Sequence, residues 1–109
     1  MTELSNFIRF NENGTFNGNF ATVLHDFDVF GTPVKNPGPK APKYRVFAKS
    51  PRGRAVEIGG IWENEKKDGD GTYLSLAIRP DLSGQTIRAN LGRFPGQDDE
   101  DLQAIILWS

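Results

Sequence analysis

Short runs of β-branched and aromatic residues alternate with turn residues along this chain, and this alternation constrains the fold more than any other feature. The clearest runs cover residues 44–49, 55–63, 72–78, 85–91 and 102–108. Glycine, proline, serine and aspartate lie between them, as expected of turns. No window of eleven or more residues has a convincing helical period. The pattern predicts an all-β fold, a small antiparallel barrel or sandwich of about six or seven strands.

The N-terminal part of the chain begins with a predicted hairpin. Residues 7–10 alternate between two faces of an extended chain, and Asn13-Gly14 supplies the signal of a two-residue hairpin turn. The return strand is expected over residues 15–24, with an extension to Val29 left open, and Gly18 within it suggests a bulge or bend. Residues 31–43 contain four prolines and two glycines, so they are predicted as a long semi-extended loop.

The expected core comes from the apolar positions of these strands. Gly59-Gly60 is interpreted as a bulge at a barrel corner that re-aims Trp62. At most one short helical turn is predicted, near residues 98–102. The predicted core residues are Val46, Ile58, Trp62, Leu74, Leu76, Ile78, Ile87, Ile106 and Trp108.

Length and composition favour one domain spanning residues 1–109. The 109 residues are 37% hydrophobic and 25% charged, which suits a single folded core. The chain has no cysteine, so a reducing, cytoplasmic location is expected. With no signal-peptide pattern and no apolar run near eighteen residues, we expect no membrane association.

The inventory of reactive side chains argues against an enzyme. A nucleophilic triad needs a base beside a serine or cysteine, but His25 is the only histidine. In an extended strand Asp26 and Asp28 would lie on the opposite face from His25. No pair of carboxylates lies in sequence surroundings that indicate burial or a shifted pKa. We therefore predict no catalytic residue and no cofactor.

The aspartates near residue 70 resemble a calcium loop only superficially. An EF-hand frame that starts at Asp68 needs glycine at its sixth position and glutamate at its twelfth. The sequence has Tyr73 and Arg79 at these positions. A turn between strands explains the same residues, so no metal site is predicted.

Charge is distributed unevenly, although the net charge is only −1. Residues 29–56 contain seven basic residues and no acidic one. Alternation would place one aromatic residue between two cations on a single face of the strand at 44–49. An aromatic ring beside cations is typical of sequence-tolerant binding to single-stranded nucleic acid. The predicted nucleic-acid-binding residues are Lys43, Arg45, Phe47, Lys49, Arg52 and Arg54.

Other interpretations of the basic stretch stay open. The cations could be a solvated surface, balanced in the folded molecule by the acidic run at residues 98–101, or they could meet an acidic protein partner. The sequence indicates neither the partner nor the oligomeric state.

Four motifs in register resemble an uncharacterised bacterial family, domain of unknown function 736. They are Tyr44-Arg45-Val46-Phe47, Glu57-Ile58-Gly59-Gly60-Ile61-Trp62, Tyr73-Leu74-Ser75-Leu76 and Ile106-Leu107-Trp108-Ser109. The resemblance implies a small protein carried by plasmids and other mobile elements of proteobacteria, and it implies no activity. The chain departs from the family pattern at residues 50–54 and 93–101, where it carries additional charged residues.

Two functional hypotheses follow. The first is a non-catalytic accessory protein of a mobile element that binds nucleic acid through the basic aromatic face. The second is a protein-binding inhibitor of a host defence system, directed against CRISPR or restriction components. Strong salt dependence would separate the first from the second.

Overall fold

The computed structural model describes residues 5–35, 38, 40–67, 69, 71–80, 84–93 and 101–107. In these residues the chain forms eight strands: β1 (Phe7–Phe10), β2 (Phe16–Ala21), β3 (Asp26–Pro33), β4 (Tyr44–Lys49), β5 (Ala55–Glu65), β6 (Thr72–Ile78), β7 (Ile87–Arg93) and β8 (Leu102–Ile106).

Each strand pairs antiparallel with its neighbours in the sequence, and β1 pairs with β8 to close the sheet into a barrel. The all-β antiparallel barrel predicted from the sequence is confirmed, and the barrel, not the sandwich, is the observed form. The described residues contain no helix long and apolar enough to cross a membrane.

The barrel has eight strands instead of six or seven because the predicted return strand is two strands joined by a turn. The backbone N–H of Thr22 donates to the carbonyl of His25 over 2.6 Å. The Thr22 hydroxyl accepts hydrogen bonds from the backbone N–H groups of Leu24 and His25. A threonine hydroxyl can stabilise such a turn without glycine, asparagine or proline. Because these usual turn residues are absent here, the sequence analysis did not predict the turn.

The first residues of the predicted proline-rich loop belong to the barrel. Gly31, Thr32 and Pro33 at the end of β3 pair with β4, which corrects the prediction that the loop begins at residue 31. Pro33 occupies the last pair of the ladder, where proline is tolerated. The connection to β4 begins at Val34, whose N–H donates to the carbonyl of Lys43 over 2.9 Å.

Alternation along each strand determines which side chains fill the barrel. Of the predicted core, Val46, Ile58, Leu76 and Ile78 are buried, and Leu74 and Ile87 are partly buried against the same cluster. The largest side chains that are almost completely buried are Phe16, Phe20, Ile8, Ile61, Ile78 and Val46.

Two predicted core residues lie on the outer surface, so their assignment to the core was wrong. On β4, Val46 faces Gly59 and Phe47 faces Glu57, which leaves Ile58 as the extra residue of a bulge. Ile61 is therefore the inward residue and Trp62 is half-buried on the outside. On β8, Ile105 is buried and Ile106 is 40% exposed.

Two further predictions concern glycine and the chain end. Gly18 pairs in register with Ile8 and Val29, so the suggested bulge there was wrong. A side chain at Gly18 would overlap the Phe7 carbonyl, and this close approach of β1 accounts for the glycine. Trp108 and most of the predicted helical turn at 98–102 lie outside the described residues; Leu102 begins β8.

Candidate nucleic-acid interface

The outward face of β4 carries the predicted binding residues. Arg45 and Lys49 are exposed and Phe47 is half-buried, whereas Val46 and Ala48 between them are buried. This agrees with the alternation predicted from the sequence. The strand therefore presents an aromatic ring between two cations on the outside of the barrel.

A second aromatic residue enlarges this face from the neighbouring strand. Phe30 on β3 pairs with Phe47, and their rings stack with centroids 5.9 Å apart and planes at 20°. The Arg45 guanidinium lies over the Phe47 ring, 5.6 Å from its centroid. Offset stacking and cation–π attraction hold the three side chains together. We call Phe30, Arg45, Phe47 and Lys49 the β4 face.

Sequence reasoning missed Phe30 because β3 was not recognised as a separate strand. Once the turn at Thr22 is placed, alternation puts Asp28, Phe30 and Thr32 on the outside of β3. The signal was present in the pattern, but it could not be used without the correct strand boundary.

Strand β5 supplies acids to this basic surface. Arg45 donates two hydrogen bonds to the Glu57 carboxylate, from Nε over 3.0 Å and from Nη2 over 2.5 Å. Lys43 pairs with Glu63 over 2.5 Å. The hydrogen bond from Arg45 lowers the pKa of Glu57, and the bond to Glu63 raises the pKa of Lys43. Two of the six predicted binding residues are thus already paired with carboxylates in the folded chain.

Three cations near the β4 face lie at its end and in the turn between β4 and β5. Arg52 and Arg54 are exposed there, and Lys49 is exposed at the end of β4. Within the described residues, these three cations form no ion pair. Ser50 shapes the turn, because its N–H donates to the Arg54 carbonyl over 2.8 Å and its Oγ accepts from the Arg54 N–H over 3.1 Å.

The six predicted residues therefore form a line and not a cluster. Lys43 precedes β4 and the arginines of the turn follow it, so they lie at opposite ends of a six-residue strand, roughly 20 Å apart. Such a line matches an extended ligand better than a compact one.

A second outward surface was not predicted. Trp62, Ser75, Asn90 and Ile106 are successive register partners across β5, β6, β7 and β8. With Tyr73 and Arg88 they line a groove of about 480 Å³, which we call the Trp62 groove. The bulge lies at Ile58 and not at Gly59-Gly60 as predicted, and it turns Trp62 to the outside, although the sequence analysis had assigned Trp62 to the core.

The turn between β2 and β3 exposes two apolar side chains. Val23 is fully exposed and Leu24 is 86% exposed. His25, which follows them, is half-buried with its ring edge toward Phe27. Two-residue hairpin turns usually carry asparagine or glycine, so turn geometry does not account for Val23 and Leu24.

The fold places this chain in the class of small closed antiparallel β-barrels. Cationic and aromatic side chains lie in a line on the outer surface of the barrel. The chain belongs to the family described as "Protein of unknown function (DUF736)", which matches residues 4–109. The family resemblance seen in the sequence is thereby confirmed. Neither a search of curated proteins nor a search of solved structures found a match.

Proposed function

We propose that this protein is a non-catalytic accessory protein of a bacterial plasmid or other mobile element, and that it binds single-stranded nucleic acid in the cytoplasm through the β4 face. The observation that carries the proposal is the outward stack of Phe30 and Phe47 with the Arg45 guanidinium over it. The neighbouring cations Lys49, Arg52 and Arg54 extend this surface toward the end of the barrel.

The geometry suits an unpaired strand because the aromatic rings lie on the outer wall. Unstacked bases can reach such rings, whereas bases inside a duplex cannot. Lys49, Arg52 and Arg54 would contact phosphates and release counterions. Arg45 would exchange the Glu57 carboxylate for a phosphate, and this competition keeps the intrinsic affinity moderate.

The biological setting rests on the motifs that this chain shares with its family. Those motifs resemble proteins carried by plasmids and other mobile elements, and a small accessory protein fits that setting. The absence of cysteine and the single histidine support a binding role without chemistry and a reducing compartment.

The salt dependence of binding tests the proposal. We expect a fluorescein-labelled single-stranded 15-mer to bind in fluorescence anisotropy titrations. Three or four neutralised phosphates would weaken binding about 20- to 50-fold between 50 and 200 mM salt. A duplex of the same sequence should bind more weakly, because its bases stay stacked. Equal affinity for both forms, or no dependence on salt, would contradict a stacking site for single strands.

One observation favours a second function, a protein-binding inhibitor of a host defence system. Val23 and Leu24 are exposed at the tip of a hairpin, in positions where turn geometry favours asparagine or glycine. An exposed apolar tip of this kind suits insertion into a pocket of a partner protein. Asp26 and Asp28, exposed beside the tip, would meet a basic rim on that partner.

The double substitution V23S/L24S separates the two functions. If the partner is a defence protein, such as a CRISPR or restriction component, the variant should lose it in a nuclease-treated pull-down from host lysate. Affinity for the 15-mer and the melting temperature should both stay near the wild-type values, because exposed side chains contribute little to stability. An unchanged set of captured proteins would remove the hairpin tip from the inhibitor hypothesis.

A further inference from the structure

The Trp62 groove is built by side chains in a single register row. From Trp62 on β5, three successive strand pairings lead through Ser75 and Asn90 to Ile106 on β8. Neighbouring strands are about 4.8 Å apart, so the two walls are separated by about 14 Å at the backbone. The floor between them is low, because Ser75 and the adjacent Ala77 have small side chains.

Contacts with the chain around Lys40, Pro42 and Gly60 hold Trp62 in place. Its Nε1–H donates to the Lys40 carbonyl over 3.2 Å. A side chain at Gly60 would come within 3.2 Å of the indole and 2.8 Å of Pro42, so the absence of a Cβ there leaves room for the ring. The indole is thus fixed before any ligand arrives, which reduces the entropy lost on binding.

The polar groups of the groove are suited to a nucleobase and its phosphate. The Ser75 hydroxyl accepts a hydrogen bond from Asn64 Nδ2 over 2.8 Å, so its own hydrogen is free to donate. Asn90 is exposed and offers both a donor and an acceptor. Arg88 is also exposed, and it has no ion-pair partner among the described residues.

The groove adjoins the β4 face. Arg45 pairs with Gly60, and Trp62 lies two residues further along β5 on the same side of the sheet, about 7 Å away at the backbone. A strand that stacks on Phe30 and Phe47 and passes over Arg45 therefore reaches Trp62 next.

We propose that the Trp62 groove is a second base-binding site, in which a nucleobase stacks on Trp62, Ser75 and Asn90 contact its polar edge and Arg88 contacts the following phosphate. This inference rests on the proposed binding of single strands, and it adds the direction in which the strand crosses the barrel. The four groups combine the stacking surface, hydrogen-bonding edge and cation that a nucleotide requires.

The test combines tryptophan emission with affinity, using oligo(dT) 15-mer as the probe. We expect the probe to quench the emission of the wild-type protein and the quenching to be largely lost in W62F. Trp62→Ala should weaken binding about 10-fold or more, because base stacking on an aromatic ring contributes about 1–3 kcal/mol per base. R88Q should weaken binding several-fold and reduce the salt slope by about 0.7.

The control K67Q removes the same charge from the exposed turn that follows β5, and it should bind the probe like the wild type. Thermal melting identifies any variant that has lost its fold; if Trp62→Ala unfolds, W62F and R88Q still decide the question. Wild-type affinity in all the groove variants, with the probe bound, would overturn the second site and leave the β4 face intact. Failure of the wild-type protein to bind any oligonucleotide would overturn both proposals.

Discussion

Phe16→Ala is expected to lower the free energy of unfolding by about 3–5 kcal/mol, because it leaves a cavity in the packed interior of the barrel. Phe16 is 1% exposed, and its ring meets Phe10 and Tyr44 edge-on, with centroids 5.9 and 6.1 Å away. The same ring lies where a side chain at Gly31 would have to be, so the barrel wall is shaped around it. A cavity at this position cannot be filled by small movements of a closed sheet.

Urea denaturation measures this effect, and Phe30→Ala is the matched control. Phe30 is also a phenylalanine in a strand of the same barrel, but it is half-buried on the outside. Its removal should cost markedly less than the removal of Phe16. Because small domains have only about 5–15 kcal/mol of stability, Phe16→Ala should also reduce the melting temperature by 10 °C or more. Equal losses for the two variants would mean that the inward and outward faces have been assigned incorrectly.

Local alternation predicted the part of the candidate site that lies within one strand. The order of Tyr44, Arg45, Val46, Phe47 and Ala48 is enough to place the arginine and the phenylalanine outside, because side chains in a strand point to opposite faces in turn. The turn signal at Asn13-Gly14 lies within the observed first hairpin, but the loop has three residues instead of the predicted two, because the Asn11 N–H donates to the Thr15 carbonyl over 2.8 Å. These features depend only on neighbours in the sequence.

Features that depend on register could not be predicted in this way. The bulge at Ile58 moves Trp62 to the outside and Ile61 to the inside. A bulge was predicted one residue further along, but the core assignment of Trp62 continued the alternation from Ile58 as if the strand were regular. The hydroxyl of Thr22 ends a strand where neither glycine nor proline marks a turn. A single misplaced boundary reverses every side chain beyond it, which is why both outer surfaces were incompletely predicted.

Ion pairs between neighbouring strands could not be predicted from the sequence either. The stretch from Val29 to Val56 contains no acid, but Glu57 follows it immediately and folds back against Arg45. The net charge of a segment is therefore a poor guide to the charge of the surface that it forms. Lys49, Arg52 and Arg54 form no ion pair among the described residues, so the positive charge next to the β4 face lies at the turn after β4 and not at the centre of the strand.

The double charge reversal R45E/K49E is expected to abolish binding of the single-stranded 15-mer, with an affinity loss of about 100-fold or more at low salt. Each reversal removes a phosphate contact and adds a repulsive charge beside the strand. The melting temperature should change by only a few degrees, because both side chains are exposed and surface substitutions usually have small effects on stability. Anisotropy titration and thermal melting of the same preparation measure both quantities.

E57Q is expected to raise the affinity for the 15-mer, whereas R45E/K49E lowers it, so this variant is a control with the opposite effect. Arg45 holds the pKa of Glu57 below its ordinary value, so at neutral pH the carboxylate is ionised and competes with phosphate for the guanidinium. Glutamine removes that competing charge, and affinity for the 15-mer should rise about two- to fivefold, which is the scale of an exposed ion pair. Lowering the pH in the wild type should act in the same direction only below the ordinary pKa of glutamate, because the folded-state value is depressed. If R45E/K49E binds like the wild type and E57Q changes nothing, the β4 face is not the site, and the exposed Val23-Leu24 tip becomes the better guide to function.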